Sequence, residues 1–286
     1  IERFTLVKCA RAQCRPTSTG NNKDMTQVLA LANQKGGVGK TTTSVNLAAS
    51  LAATRRKVLL IDLDPQGNAT MGVGIDKNTL EKTFCDVLLS DLSVHECVHT
   101  LENIGIDLLP SNADMTAAEV ELMRSKGSET RLKDAIAPLR NEYDFILIDC
   151  PPALNMLTLN ALVAADGVII PMQCEYYALE GLTALMETIN QVKASVNPKL
   201  QIEGLLRTMF DPRNTLSNDV SAQLIEHFGD KVYRTIVPRN VRLAEAPSHG
   251  LPALLYEKTS SGALAYLALA GEMLRRNSRN YAAQTS

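Results

Sequence analysis

The stretch Gln34-Lys35-Gly36-Gly37-Val38-Gly39-Lys40-Thr41-Thr42-Thr43 constrains this chain more than any other. It follows an apolar run, residues 28–33, and opens a segment of helical spacing, 41–54. A strand that passes through glycines into a helix curls its backbone so that several N–H groups point into one concavity. The start of the helix adds positive potential, and together these make a nest for a polyphosphate.

The rhythm set there continues. Short apolar runs at 57–62, 105–109, 143–149, 167–172, 201–208 and 232–237 alternate with helical spacing at 79–89, 114–124, 128–140, 155–164, 178–196, 215–228 and 261–276. Continuous apolar runs imply strands covered on both sides, so the expected fold is α/β, a mainly parallel twisted sheet flanked by helices on both faces. There is no internal repeat or linker between 25 and 277, and one domain is expected over 25–277. Residues 1–24 lack periodicity and read as a flexible extension; 278–286 read as a polar tail.

Composition excludes several classes. With 45% hydrophobic residues and a net charge of −2, the chain has enough material for a core and is not a polybasic binder, so any nucleic-acid surface must be local. The charge is uneven, because residues 199–286 carry 11 Lys and Arg against 8 Asp and Glu, which makes the C-terminal third the basic part. Six cysteines without a C-x-x-C pair argue against a disulfide or zinc framework and fit a reducing cytoplasm. His95, Cys97 and His99 alternate but lack a fourth ligand, and are expected to be surface residues beside a short strand. No apolar run is long enough to span a membrane.

In the phosphate loop, Lys40 is placed to reach the β- and γ-phosphates, and the Thr41 hydroxyl to ligate Mg²⁺. The general P-loop pattern has a glycine where this chain has Gln34, and a second lysine, Lys35, stands next to it. Two further acids end strands, where open α/β sheets hold their ligands. Asp64, in Asp62-Leu63-Asp64-Pro65-Gln66-Gly67-Asn68, can polarise water or reach Mg²⁺ through a water, and Asp149, before Cys150-Pro151-Pro152, suits a hold on Mg²⁺ from behind.

The K-G-G-x-G-K-T-T motif resembles the deviant Walker A loop of the ParA/MinD/nitrogenase-iron-protein superfamily of P-loop ATPases. The segments 62–68, 173–181 and 238–250 look like the chromosomal ParA/Soj branch, and the resemblance covers nearly everything from Val28 to about Arg276. It implies a single-domain P-loop NTPase that hydrolyses ATP slowly with Mg²⁺. Its catalytic residues would be Lys35, Lys40 and Asp64. ATP would be held by Lys35, Gly36, Gly37, Val38, Gly39, Lys40, Thr41 and Thr42, with Pro238 and Asn240 bordering the adenine. The metal would be served by Thr41, Asp64 and the Walker B acid Asp149, with Asp62 structural or metal-adjacent. Lys35 would act across a homodimer on the partner's nucleotide. Arg213 and Arg242 match arginines with which the family's dimer holds DNA regardless of sequence; Lys199, Arg234 and Arg239 are weaker candidates.

The implied function is a chromosome or plasmid partitioning ATPase, cytoplasmic and nucleoid-associated, stimulated by a ParB-type centromere-binding protein. Three alternatives share the loop. A MinD-like membrane-associated ATPase needs an amphipathic C-terminal helix, but 263–276 is apolar round most of its girth. An iron–sulfur carrier needs paired cysteines. A biosynthetic ATPase needs a small carboxylate substrate.

Overall fold

The computed structural model describes residues 26–90 and 92–284, with side chains up to residue 278. The extension expected over 1–24 lies outside the described residues. Among the described residues eight strands form one sheet: β1 (Gln27–Leu31), β2 (Val58–Asp62), β3 (His99–Leu101), β4 (Ile106–Leu109), β5 (Phe145–Asp149), β6 (Gly167–Gln173), β7 (Gln201–Phe210) and β8 (Val232–Pro238). Their order is β3-β4-β2-β5-β1-β6-β7-β8, parallel throughout except for the antiparallel edge pair β3–β4. The phosphate loop therefore leaves a central strand.

The α-helices of the described residues are α1 (Lys40–Ala53), α2 (Asn68–Gly72), α3 (Phe84–Leu89), α4 (Met115–Arg124), α5 (Arg131–Ile136), α6 (Met156–Ala164), α7 (Ala178–Ser195), α8 (Thr215–Phe228), α9 (Val241–Glu245), α10 (Ala253–Tyr256) and α11 (Ser261–Gln284). One face of the sheet packs on α1 and α11 through Leu47, Leu51, Tyr266, Leu269 and Met273. The other packs on α3 to α8 through Phe84, Leu132, Leu157, Leu185 and Leu224. The strands alternate between the two cores: Leu29, Leu31 and Leu60 join the first, Val28, Leu59 and Ile61 the second, all at most 1% exposed. Each such aliphatic side chain contributes about 1.5–3 kcal/mol on burial.

Local chemistry trims several expected elements. The helix expected from 79 starts at Phe84, because Thr83 and Asp86 form a capping box there. The helix expected over 128–140 divides into 3₁₀ turns around α5, the second containing Pro138, which has no N–H to continue an α-helical ladder. The last helix runs eight residues beyond the expected 276. Nothing between 277 and 284 is glycine or proline, so 278–284 continue α11 where a polar tail was expected. Asn277 on α11 donates to the Gln27 side chain at 2.7 Å, so this part of the last helix meets the start of β1 on the rim away from the phosphate loop. No helix of the described residues is long and apolar enough to cross a membrane.

Candidate nucleotide site and arginine loops

The loop between β1 and α1 is curled by two left-handed glycines, Gly37 at φ 73° and Gly39 at φ 87°. A side chain at either would strain the backbone. Asn33 anchors the entry, donating to the Pro171 carbonyl at 2.8 Å and accepting from the Lys35 N–H at 3.0 Å. Val38 is buried, Gly36 is exposed and Thr42 is partly accessible. The Lys40 side chain folds back over the loop, its Nζ 3.2 Å from the Lys35 carbonyl, and is only 6% exposed as a residue. Burial lowers the affinity of Lys40 for its proton, and the charges of Asp149, Cys150 and Asp64 oppose that shift.

The register of the sheet brings the acids together. Asp149 pairs with Leu31 on one side and with Asp62 on the other, so both carboxylates stand at the carboxyl end of neighbouring strands beside the loop. Thr41 Oγ1 donates to Asp149 Oδ2 at 2.8 Å, and Ser44 Oγ to Oδ1 at 2.7 Å. Burial pushes the Asp149 carboxyl well above the usual range, the charges of Asp62 and Asp64 push it further, and the Ser44 and Thr41 hydrogen bonds hold it back. Asp62 is raised for the same first reason, though it accepts from the Thr70 N–H and hydroxyl and from the Asp64 N–H. These bonds make Asp62 the fastener of the turn that carries Asp64. Asp64 is 7% exposed and accepts from the Gln66 N–H at 2.9 Å. Gly67 closes that turn at φ 59°, and a Cβ there would stand 2.7 Å from the Ser111 carbonyl.

Three carboxylates held near one another with Lys40 as their neighbouring cation leave an excess of buried negative charge, which suits a divalent cation. Among the described residues no group of three or more His, Cys, Asp and Glu is arranged to hold a metal. A site of the Mg²⁺ kind needs no such cage, because that ion takes one or two protein oxygens and completes its shell with water and substrate phosphates. Thr41 with Asp149 behind it fits that description. His95 instead contacts Glu142 at 2.8 Å, and Cys97 is fully buried with its thiol on the Thr83 carbonyl.

Other positions singled out in the sequence stand at the same edge. Pro238 ends β8 opposite Phe210 of β7. Asn240 caps α9, accepting from the Arg242 N–H at 3.0 Å and donating to the Ser261 hydroxyl at 2.8 Å. Lys35 makes an ion pair with Glu175 just before α7, both side chains well exposed. Arg213, on the loop after β7, has its side chain 89% exposed and lies in a two-bond fork on Asp211, at 2.9 and 2.8 Å. Arg242 is paired with Glu245 at 2.6 Å. Arg213 thus stands on the loop following β7 and Arg242 in the first turn of α9, just after β8, each with an acid of its own. Cys150 and Cys174 are buried free thiols, both pushed up in pKa by burial, Cys174 to about 11.

Sequence reasoning missed Asn33, Ser44 and Thr208. Thr208 donates its hydroxyl to the Val38 carbonyl at 2.7 Å. Their partners lie at remote positions or on an unsuspected helix face, and the only local signal was a polar residue within an otherwise buried run.

A family model described as an AAA domain matches residues 26–202. The chromosome partitioning protein ParA of Myxococcus xanthus is 51% identical over 88% of this chain and 89% of its own length. The sporulation initiation inhibitor protein Soj of Bacillus subtilis is 50% identical over 87% of this chain and 98% of its own. Among solved structures, cobyrinic acid a,c-diamide synthase from Mycobacterium smegmatis, with bound ADP and magnesium, superposes with a TM-score of 0.77 at 40% identity, covering 88% of this chain and 95% of that one. With two named partitioning relatives at half identity over nearly nine-tenths of its length, the chain belongs to the ParA/Soj family of chromosome-partitioning P-loop ATPases.

Proposed function

We propose that this chain binds ATP with Mg²⁺, pairs with a second copy over the nucleotides, and in that state holds DNA without reading its bases. Hydrolysis, slow alone and accelerated by a ParB-type centromere-binding protein, then releases it. The observation that carries the reading is the buried cluster in which Lys40 closes over the glycine loop while Thr41 rests on Asp149. ADP and magnesium bound to a solved structure 40% identical to this chain support the choice of ligand.

Phosphoryl transfer is catalysed mainly by positioning and charge. Lys40 holds the β- and γ-phosphate oxygens, and the N–H groups of Gly36, Gly37, Val38 and Gly39 with those of Thr41 and Thr42 line the cradle. Thr41 would supply an oxygen to a bound Mg²⁺, with Asp149 fixing that hydroxyl, and the ion would contribute neutralisation of phosphate charge. Asp64 orients the attacking water and can reach the metal through one. Pro238 and Asn240 border the adenine. Lys35 leaves Glu175 and reaches the phosphates of the partner's nucleotide. Arg213 and Arg242 contact DNA phosphates, which gives salt-sensitive binding and a location on the nucleoid in the cytoplasm.

ATP hydrolysis measured alone, with non-specific DNA, and with DNA plus the cognate ParB-type protein tests this. The expected result is stimulation in the third reaction beyond the sum of the others. A second reading, a biosynthetic ATPase, is favoured by the name of the 40% identical structure; turnover that required a small carboxylate substrate would support it instead. A MinD-like role on membranes fits less well, since α11 already buries Tyr266, Leu269 and Met273 against the sheet.

A further inference from the structure

β7 is irregular where it passes the phosphate loop. Alternation places Leu205 and the buried Arg207 guanidinium, which donates to Ser221 on α8 at 2.9 Å, on one face and Leu206 and Thr208 on the other. Continued alternation would put Phe210 with Leu206, yet Phe210 packs in the core of Leu205. The register with β8 explains this: Arg207 stands opposite Ile236 and Phe210 opposite Pro238, three residues against two, so β7 carries one extra residue. Met209 takes the left-handed conformation at φ 49°, unusual for a side chain of its kind. Such bulges re-aim side chains next to functional sites.

The side chain that changes face is Phe210; Thr208, just before the bulge, keeps the face that alternation gives it, toward the phosphate loop. Thr208 is 2% exposed, and its hydroxyl donates to the carbonyl of Val38. The bulge also lies against the neighbouring residue of the loop, since a Cβ on Gly39 would be 3.9 Å from Thr208 Cβ and 4.0 Å from Met209 Cε. In a trans peptide the carbonyl of one residue and the N–H of the next point in opposite directions. A Val38 carbonyl held toward β7 therefore turns the Gly39 N–H away from it. We propose that Thr208 is a positioning residue of the phosphate loop, whose hydroxyl, presented from β7 just before the bulge, fixes the Val38–Gly39 peptide so that its N–H is presented to the anion. This inference rests on the reading of the loop as a polyphosphate site. Val38 and Thr208 are 170 positions apart in the chain.

The test is equilibrium binding of a fluorescent methylanthraniloyl-ADP to the full chain, with magnesium and again with EDTA, for the wild type, Thr208→Val, Thr208→Ser and Ser221→Ala. Valine keeps the shape without the donor, and its expected effect is an affinity about tenfold weaker in both buffers, the size of one well-placed hydrogen bond. Serine restores the donor and should lie within about twofold of wild type. Ser221→Ala removes a buried partner of Arg207 on the opposite face of the same strand, so it reports the effect of lost stability alone and is expected to bind normally. Wild-type binding with Thr208→Val unchanged overturns the inference alone, as does equal weakening by Ser221→Ala or failure of serine to restore binding. No binding by the wild type overturns the polyphosphate reading and the inference with it.

Discussion

The phosphate loop and the two arginine positions share the same edge of the sheet but are built on opposite terms. Around the first, Lys40, Asp62, Asp64 and Asp149 are at most 7% exposed and the carboxylates are fixed by hydrogen bonds, Asp62 by three and Asp149 by two. Around the second, Arg213 and Arg242 stand in solvent, each beside a neighbour in sequence that cancels its charge. Buried groups with fixed partners act in one geometry and fail individually. Exposed, self-paired cations act by sum, are screened by salt, and each carries little.

The largest effect should come from the buried site. Lys40→Ala is expected to lower ATP turnover by about a hundredfold or more, in line with the loss of a preorganised charge at a phosphoryl group, as measured by phosphate release. Turnover within a few-fold of wild type would break the contrast at its stronger end.

At the weaker end, Arg213→Ala combined with Arg242→Ala should reduce affinity for non-specific DNA roughly tenfold or more and flatten its salt dependence by about two phosphate contacts, read by anisotropy at several salt concentrations. Each single change should do much less. Asp211→Asn sharpens the point: with its fork removed, Arg213 should bind DNA a few-fold more tightly, on the order of one exposed ion pair. The Lys35–Glu175 pair offers a similar test. Glu175→Gln should promote nucleotide-dependent pairing a few-fold in sedimentation velocity, because Lys35 no longer leaves a partner behind; weaker pairing would give Glu175 a role of its own.

The smallest effect lies outside both regions. Burial raises the Glu203 carboxyl above its ordinary value, with Lys231, Arg276 and Gln27 opposing. A raised carboxyl binds its proton more tightly folded than unfolded, so it favours the fold below the unfolded pKa and loses that contribution as pH rises through the folded one. Glu203→Gln should therefore stabilise the protein at pH 8 by about 1 kcal/mol or less and leave it unchanged near pH 3.5, measured as the urea midpoint.

The same contrast explains what the sequence reveals. Seven strands were legible because each centres on a short apolar stretch, and the candidate residues Lys40, Thr41, Asp64 and Asp149 because they sit at fixed offsets from a strand end. β3 was not, being three residues long with an exposed Thr100 and lying at an edge. Nor were α2, α9 and α10, each too short to show a helical period. Asn33 and Thr208 stayed hidden because their work is done on Pro171 and Val38, remote in sequence. The acids beside Arg213 and Arg242 were visible as letters, but pairing at exposed sites depends on rotamers that no spacing dictates.

The meeting of Gln27 with Asn277 has a practical corollary. Where the first strand begins, the closing helix passes, on the side remote from the glycine turn. A handle fixed near this junction would orient every molecule on a sensor chip alike, leaving the opposite rim, with its glycine turn, open to solution.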